Sequence, residues 1–593
     1  MPEPVPLVDL GVGTYVSERP STRYPVYTRG NAGEVYPEVA YPLSVGLSRS
    51  AGDGAVIRAL LGGGVLTASD VEEGYTCFGG VFGGYMYLNV SLNRVIAIRL
   101  PGVSIEQADT TYLGSEGQAP PHRPDRRDKN RLATLRAIRT GWKMLNATSV
   151  PELAADREIV AAWRAQLPEL LAAGDEEIVA AVRALMGPTM EMFANHLEIS
   201  SKAGGSMQLL SKICEDRLGD GSLVLTLLGG LGEVDSAAPS FAMWTLGRMV
   251  ADDPALTAQF DAGVDGLAER LAADPAAEQF DTAFSSFLDQ YGSRGPNEWE
   301  SACDTWATAP ELALTLIDRM RRSDPQHEPS LRADSLATER VTAVEQARSR
   351  LHCFQRWNFD KTLAAAALFS RAREREKTTI IELIHVGRLL LRELGARTAA
   401  RVDGGTIEDL WFVTAGELDA FAADPNAFCE VIAARRATRH ELARREPPFT
   451  FDGELPPPIT WPLRSDPTRA APLAVGDSIT GIGGCAGVAV GRARVVTDPG
   501  EPGDLGPGDV LIAPVTDPAW TPLFVPVEAI VVDVGGQMSH AVIVSRELGR
   551  ACVVAATDAT RRIPDGAMVS VDGNAGTVTV LELPSLQVPG DGT

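Results

Sequence analysis

The amino-acid sequence predicts a multidomain α+β protein, in which a large, mainly helical region is followed by a compact β/α domain. The chain has 593 residues, too many for a single hydrophobic core. From about residue 130 to 445, apolar residues recur at spacings of three and four, which is typical of helices. After about residue 475, short Val and Ile runs alternate with Gly, Pro and Asp turns, which indicates short strands.

The sequence divides into three parts in chain order. Residues 1–445 form the first part, with an α/β portion rich in Gly, Tyr and Val up to about residue 125 and helices after it. Residues 446–474 are expected to be a linker, because eight prolines between 447 and 472 exclude a helix. At about 3.1 Å per residue, the stretch from 447 to 472 would reach roughly 80 Å when fully extended. Residues 475–593 form the β/α domain, with one helix-like segment at 540–548.

Composition excludes several classes of function. The formal net charge is -24, so a nucleic-acid partner is not expected, because phosphate contacts need clustered Lys and Arg. The seven cysteines are scattered, which predicts reduced thiols and no metal site. The first residues lack the features of a signal peptide, and no apolar run is long enough to cross a membrane. We therefore expect a cytoplasmic protein with no membrane partner.

The most informative stretch, residues 529–549, predicts a buried strand, a diglycine turn and a helix. Ser539 is a suitable N-cap for that helix, and Gly549 is a suitable C-terminal stop. This arrangement places His540 in the first turn.

A histidine in this position is suited to carry a phosphoryl group. The positive end of the helix dipole disfavours the imidazolium form, so the ring stays neutral and nucleophilic. Gly535, Gly536 and Ser539 are predicted to form a phosphate cradle with the first-turn N–H groups, since glycine lets the backbone approach a phosphate closely. A covalent phosphohistidine intermediate is therefore expected at His540. The alternative is a histidine that merely caps a helix.

Several ordered motifs around His540 carry a resemblance to a known family. They lie at residues 484–491, 508–511, 516–522, 546–549 and 571–576. Together they resemble the swivelling phosphohistidine domain of phosphoenolpyruvate (PEP) synthase, pyruvate phosphate dikinase and rifamycin phosphotransferase, which are PEP-utilising enzymes. Dikinases usually carry a threonine two residues before the histidine, on which a regulatory kinase acts. Met538 stands there in this chain, so that control is not expected.

Three segments of the first part resemble the substrate-binding region of the same family. Residues 29–37 resemble its opening, residues 291–298 a Gly-x-Arg-Gly…Glu element, and residues 371–377 a basic helix. The resemblance implies that Arg373 and Lys377 face the transferred phosphoryl group. It also implies a set of substrate-binding residues, namely Arg29, Asn31, Glu34, Arg294 and Glu298.

Arg373 and Lys377 also allow a simpler interpretation, a solvated helix surface with ion pairs. Their spacing of four residues places them on one helix face in either case. Only six of the 54 basic residues are lysines, which favours a specific role for Lys377. Fixed cations stabilise the negative charge of a phosphoryl group in transfer.

The resemblance also predicts the reaction. We find no Gly-rich phosphate loop followed by Lys and no segment resembling the ATP-grasp domain or the PEP-binding barrel of relatives. The chain is thus similar to the histidine-bearing subunit of phenylphosphate synthase and of the 4-methylphenol-phosphorylating system. This similarity implies dikinase-type chemistry in phenol degradation. By this resemblance, a separate ATP-grasp subunit with Mg²⁺ and ATP is expected to phosphorylate the histidine and to release AMP and phosphate. The histidine is then expected to phosphorylate a phenol-like or cresol-like hydroxyl.

Two other functions compete with an aryl-phosphate synthase. One keeps the chemistry but transfers the group to an antibiotic hydroxyl, as in rifamycin resistance. The other is a non-catalytic phosphocarrier or regulatory protein, against which the large helical region argues. The aromatic and methionine residues at 75–87 would suit a phenolic ring, but a place in the hydrophobic core is the favoured interpretation.

Overall fold

The computed structural model describes residues 5–71, 78–100, 102–113, 119–232, 235, 237–325, 328–464, 471–536 and 539–584. It confirms the predicted multidomain α+β class, with a helical region followed by a β/α domain. Among the helices in these ranges, none combines the length and the apolar character needed to cross a membrane.

The N-terminal portion packs short strands and helices around an aromatic core. Tyr27, Phe82, Tyr87 and Phe451 contact one another through their rings in this core. The elements are β1 (Leu7–Asp9), β2 (Thr14–Val16), β3 (Val26–Thr28), α1 (Ala32–Val35), α2 (Pro42–Gly62), β4 (Gly79–Phe82), β5 (Tyr85–Asn89), α3 (Val90–Arg99) and α4 (Ile105–Leu113), with a 3-10 turn at Ala68–Asp70.

Two long helices, α7 and α15, form the centre of the helical region. They bury apolar residues such as Leu185 and Leu383 in a common core with α2. The helices are α5 (Arg131–Leu145), α6 (Glu152–Ala172), α7 (Asp175–Ile213), α8 (Leu223–Leu227), α9 (Ala238–Asp252), α10 (Pro254–Asp261), α11 (Leu267–Ala273), α12 (Glu278–Tyr291), α13 (Pro310–Arg322), α14 (Pro329–Arg350), α15 (Cys353–Ala399), α16 (Leu418–Ala423) and α17 (Cys429–Ala443). Single turns of 3-10 or π-helix lie at Cys214–Leu218, Pro275–Ala277, Ile407–Phe412 and Pro425–Phe428.

The first half of the predicted linker 446–474 is folded, which corrects the expectation of an extended arm. Strand β6 (Thr450–Asp452) pairs with β3 and completes the antiparallel sheet β4-β5-β3-β6. A 3-10 turn at Pro458–Thr460 follows, and Trp461 is buried in the aromatic core. The prolines exclude a helix. They carry no information about Phe451 and Trp461, which pack into the aromatic core of the N-terminal portion. The division of the chain into domains remains a prediction.

The C-terminal domain is built on an eight-stranded sheet in the order β7-β14-β13-β9-β10-β11-β12-β8. Strands β9 to β12 run parallel, and the β11–α19–β12 unit carries His540 at the start of its helix. The elements are β7 (Ser478–Thr480), β8 (Ile482–Cys485), β9 (Val488–Val495), β10 (Asp509–Ala513), a 3-10 turn (Pro518–Trp520), α18 (Thr521–Phe524), β11 (Ala529–Val532), α19 (His540–Leu548), β12 (Ala551–Val554), α20 (Ala559–Arg562), β13 (Met568–Asp572) and β14 (Thr577–Glu582).

The C-terminal domain docks on the helical region with its His540 face. Helix α18 packs against α9 and α13, and one apolar cluster contains residues of both parts. Polar contacts support the interface: the Glu547 carboxylate accepts N–H bonds from Leu231 (3.1 Å) and Gly232 (3.3 Å). The Asp517 carboxylate accepts the N–H of Asn297 at 2.6 Å. This docking brings His540 to the helical region.

Candidate active site

His540 is the first residue of α19, as the sequence predicted. Ser539 is the N-cap residue, and Gly549 ends the helix with a φ of 63° in the left-handed region, where glycine is favoured. The ring of His540 is buried, and each of its nitrogens faces a hydroxyl. Nε2 lies 3.0 Å from Oγ1 of Thr521, and Nδ1 lies 3.4 Å from Oγ1 of Thr516.

Three cations of the helical region lie near the His540 ring. Burial lowers the pKa of His540 well below its usual range, and the charges of Lys377, Arg294 and Arg373 lower it further. The ring is therefore neutral at pH 7 and keeps a lone pair for phosphorus. The Arg373 and Lys377 side chains are only 16% and 12% exposed, so a solvated helix surface does not describe them.

A buried carboxylate links two of these cations. Oε2 of Glu298 lies 2.9 Å from Nε of Arg294, and its Oε1 lies 3.1 Å from Nζ of Lys377. Arg294 also donates through Nη1 to Thr378, but its buried Nη2 has no hydrogen-bond partner among the described residues. Two cations around one carboxylate leave a positive charge beside His540, which suits a transferred phosphoryl group.

Glu34 reaches the same site from the N-terminal portion. The backbone N–H of Gly536, next to the His540 turn, faces its carboxylate and favours the ionised form. Oε1 is buried and has no hydrogen-bond partner in the described part of the chain. Burial raises the pKa of Glu34 to about 8, although Arg373 and Lys377 act in the opposite direction. A carboxyl with this pKa can exchange a proton near neutral pH.

Asn31 and Arg29 support the turn that carries Glu34. Among the described residues, neither of them contacts the His540 ring. Asn31 has a φ of 63° and precedes α1, where its carbonyl oxygen accepts the N–H of Glu34. The Arg29 guanidinium donates to the carbonyl oxygens of Tyr36 and Pro37. It also stacks over the Tyr85 ring, 4.5 Å from the ring centroid. Both residues fix the direction in which Glu34 points.

The predicted phosphate cradle has one unoccupied donor and one glycine with a packing role. The hydroxyl of Ser539 makes no capping bond, and it is buried with no partner within the described ranges. A Cβ added at Gly535 would lie 2.9 Å from Cβ of Val554 on β12. The packing of this turn against β12 therefore requires glycine at position 535. The same glycine would also let the backbone approach a bound phosphate. Met538, which bears on the regulatory-threonine prediction, lies outside the described residues.

Sequence reasoning missed several residues of this site. Thr516 and Asp517 belong to a motif that was recognised, but no role had been assigned to them. Asp517 is held at the interface, and burial raises its pKa to about 6. His196 on α7 gave no sequence signal at all. Burial lowers its pKa to about 3, with Arg373 and Lys377 among its charged neighbours.

His196 belongs to a group of rings beside the cations. The ring centroids of His196 and Phe193 each lie 6.1 Å from that of Trp299. Trp299 directly follows Glu298 in the chain, so this group adjoins the charged part of the site. By contrast, Phe82, Tyr85 and Tyr87 are buried in the N-terminal core. Residues 75–77 lie outside the described residues.

Two family models match the chain. The rifampicin phosphotransferase fourth domain matches residues 195–375, a range that contains Arg294, Glu298 and Arg373. The mobile domain of PEP-utilising enzymes matches residues 505–576, which contain His540.

Curated relatives align with large parts of the chain. An uncharacterised protein of Mycobacterium tuberculosis is 35% identical over 55% of this chain and 35% of its own length. The prodigiosin synthesizing transferase of Serratia marcescens is 26% identical over 84% of this chain and 57% of its own length. A rifampicin phosphotransferase of Streptomyces sviceus is 29% identical over 62% of this chain and 42% of its own length. The chain therefore spans only about a third to just over half of these relatives.

Proposed function

Because the chain carries the mobile domain of the PEP-utilising enzymes, which confirms the family that its motifs predicted, we propose that it is a phosphohistidine-dependent phosphotransferase. His540 receives a phosphoryl group and passes it to the hydroxyl of a small molecule bound against the helical region. The observation that carries this proposal is the placement of a buried, neutral His540 against Arg294, Arg373 and Lys377. A helix-capping histidine would not need three cations contributed by another part of the chain.

The transfer step can be written with the chain's own residues. The N–P bond of phosphohistidine breaks, and its electron pair returns to the ring nitrogen. A bond forms between phosphorus and the acceptor oxygen, while the acceptor proton passes to the ionised carboxylate of Glu34. Arg373 and Lys377 stabilise the charge on the phosphoryl oxygens. The Ser539 hydroxyl and the first-turn N–H groups of α19 hold the group before transfer.

The acceptor that we propose is a phenol-like or cresol-like aromatic alcohol. The ring group of Phe193, His196 and Trp299 beside the cations supports an aromatic acceptor, since aromatic rings favour edge and offset contacts at these separations. The test is ³¹P NMR of purified phosphorylated protein mixed with 4-methylphenol, with cyclohexanol as the non-aromatic control. Formation of an aryl phosphate supports the proposal. Equal transfer to both alcohols, or transfer to neither, would remove the aromatic assignment.

The phosphoryl donor that we propose is ATP bound by a separate ATP-grasp subunit with Mg²⁺. Its β-phosphoryl group passes to His540, and AMP and phosphate are released. The resemblance of the His540 motifs to the histidine-bearing subunit of aryl-phosphate synthases supports this assignment. Mg-ATP should accordingly leave the melting temperature of this chain unchanged, whereas a ligand at a hundredfold excess over its Kd stabilises by about 2.7 kcal/mol.

A further inference from the structure

Helix α5 carries an apolar stripe on its solvent side. Leu132, Leu135, Ile138 and Trp142 are 66%, 63%, 52% and 59% exposed. They follow one another at spacings of three, three and four residues, which places them on one side of the helix. The opposite side is already used, because Met144 packs into a core with α7 and α15. The stripe is therefore held in place by the fold and is left without a partner within the described residues.

Two aromatic residues at the start of α15 extend this stripe. Phe354 is 77% exposed and Trp357 is 43% exposed. The ring centroid of Trp357 lies 6.3 Å from that of Trp142 and 5.8 Å from that of Phe354. We call these six residues of α5 and α15 the α5 surface. With about 200 Å² per large side chain, it exposes roughly 700 Å², close to the share of one partner in a standard interface.

The chain segment that contains α5 carries a net charge opposite to that of the whole chain. Residues 123–143 contain eight Arg or Lys and two Asp, a net charge of +6 in a chain of net charge -24. Arg136, Arg139 and Lys143 are exposed beside the stripe, and they form no ion pair with any described residue. Two copies of this chain meeting face to face would bring these charges together, which disfavours a symmetric dimer here. The complementary surface is apolar with an acidic rim.

We propose that the α5 surface docks the subunit that phosphorylates His540, and that this subunit presents an apolar groove bordered by carboxylates. The inference rests on the proposed function. Tryptophan and arginine, which dominate binding energy at protein interfaces, are both present. Trp357 lies 16 residues before Arg373 on α15, a distance of about 24 Å along the helix. Docking there leaves the transfer site free for the acceptor.

The test compares two matched substitutions in a charging assay with purified ATP-grasp subunit and Mg-ATP. Ile138 on α5 and Val341 on α14 are both 52% exposed, so Ile138→Glu and Val341→Glu add the same charge at equally exposed positions. We expect Ile138→Glu, and likewise Trp142→Glu, to raise the KM for the subunit at least tenfold, with an unchanged maximal rate. Val341→Glu should leave KM unchanged. Transfer from purified phosphorylated protein to the acceptor should be the same in all variants.

Each other outcome overturns the inference. An equal KM in all variants rejects the α5 surface and leaves the proposed function intact. If the wild-type chain is not phosphorylated, the proposed partner fails and the inference fails with it. Sedimentation with vesicles of phosphatidylcholine and phosphatidylserine tests another occupant. If only the α5 variants lose vesicle binding, the surface faces a membrane; if only they lose concentration-dependent self-association, it faces a second copy.

Discussion

A histidine that carries a phosphoryl group must offer a neutral nitrogen and then release the group to another atom. Burial and three nearby cations keep His540 neutral. The same cations attract the phosphoryl oxygens once the group is attached, and the Ser539 hydroxyl is free to hold one of them. The charges that disfavour imidazolium thus favour the phosphorylated state, so both requirements are met by one arrangement.

Arg373 and Lys377 are predicted to act in transfer to the acceptor and not in the charging of His540. Replacing either residue by Met removes one charge contact to the transferring group. Transfer should fall about 10²–10³-fold, the usual cost of about 2.7–4 kcal/mol for losing such a contact. Charging by the ATP-grasp subunit should stay nearly intact. Single-turnover kinetics starting from phosphorylated protein measure the first rate, and phosphoryl incorporation measures the second.

Lys361→Met is the matched control for Lys377→Met. Lys361 lies on the same helix, 16 residues earlier, which is about 24 Å away along the axis. Lys361→Met should leave transfer to the acceptor unchanged. Its effect on charging is not used as a control, because Lys361 lies one turn after Trp357 of the α5 surface. Unaltered transfer in both the Arg373 and the Lys377 variant would exclude them from the site.

Glu34 is predicted to set the pH dependence of transfer. Its pKa is raised to about 8 by burial, so the ionised, proton-accepting form increases as the pH rises from 6 to 8. The transfer rate should increase with pH over this range and level off above it. His196, with a pKa of about 3, is neutral throughout and adds no dependence. In Glu34→Gln the increase between pH 7 and 8 should disappear, since Asp517, with a pKa of about 6, is already ionised there; a wild-type profile that is flat between pH 7 and 8 would contradict this role.

At the scale of elements, the turn between β11 and α19 is predicted to tolerate no side chain at its first glycine. A Cβ at Gly535 would lie 2.9 Å from Cβ of Val554. Gly535→Ala should destabilise the C-terminal domain by about 1–3 kcal/mol, the usual cost of overpacking. Gly506→Ala is the control, because its Cβ would meet nothing closer than 3.9 Å. Thermal unfolding compares the two; equal melting temperatures would show that the turn adjusts at no cost.

The sequence predicted local elements well and long-range contacts poorly. The β11–turn–α19 unit was predictable because its signals, a Val/Ile run, two glycines and a Ser N-cap, lie within about 20 residues. The contact between Glu34 and Gly536 joins positions 502 residues apart, and only family resemblance placed both near a site. The β6 strand was missed because proline content predicts the absence of a helix, while strand pairing depends on a distant partner, β3.

At the scale of the whole molecule, the structure shows the C-terminal domain docked against the helical region. If this domain moves between two stations, the segment that connects it is short. The chain is folded up to about Leu463, and Leu473 is again buried in the C-terminal domain. Ten residues span at most about 36 Å when fully extended, well below the roughly 80 Å expected for residues 447–472. In the proposed reaction, a charging subunit would therefore have to bring its nucleotide close to the docked position.

Docking through Glu547 is predicted to matter for transfer alone. Glu547→Ala removes the acceptor of two N–H groups from the helical region. Loss of a hydrogen bond to a charged group costs about 1.5–3 kcal/mol, so transfer should fall at least tenfold while charging by the partner stays unchanged. Glu582→Ala, at an exposed position on β14, is the control. If Glu547→Ala reduced charging as strongly as transfer, the residue would support the domain's own fold and not its docking.

The central claim is that His540 carries the phosphoryl group. Intact-mass analysis after incubation with the ATP-grasp subunit and Mg-ATP tests it most directly, with His540→Ala beside His440→Ala, a histidine exposed on α17. Wild-type and His440→Ala chains should gain the mass of one phosphoryl group, lost again on brief acid treatment, and His540→Ala should gain none. An equal gain of mass in His540→Ala would contradict the claim.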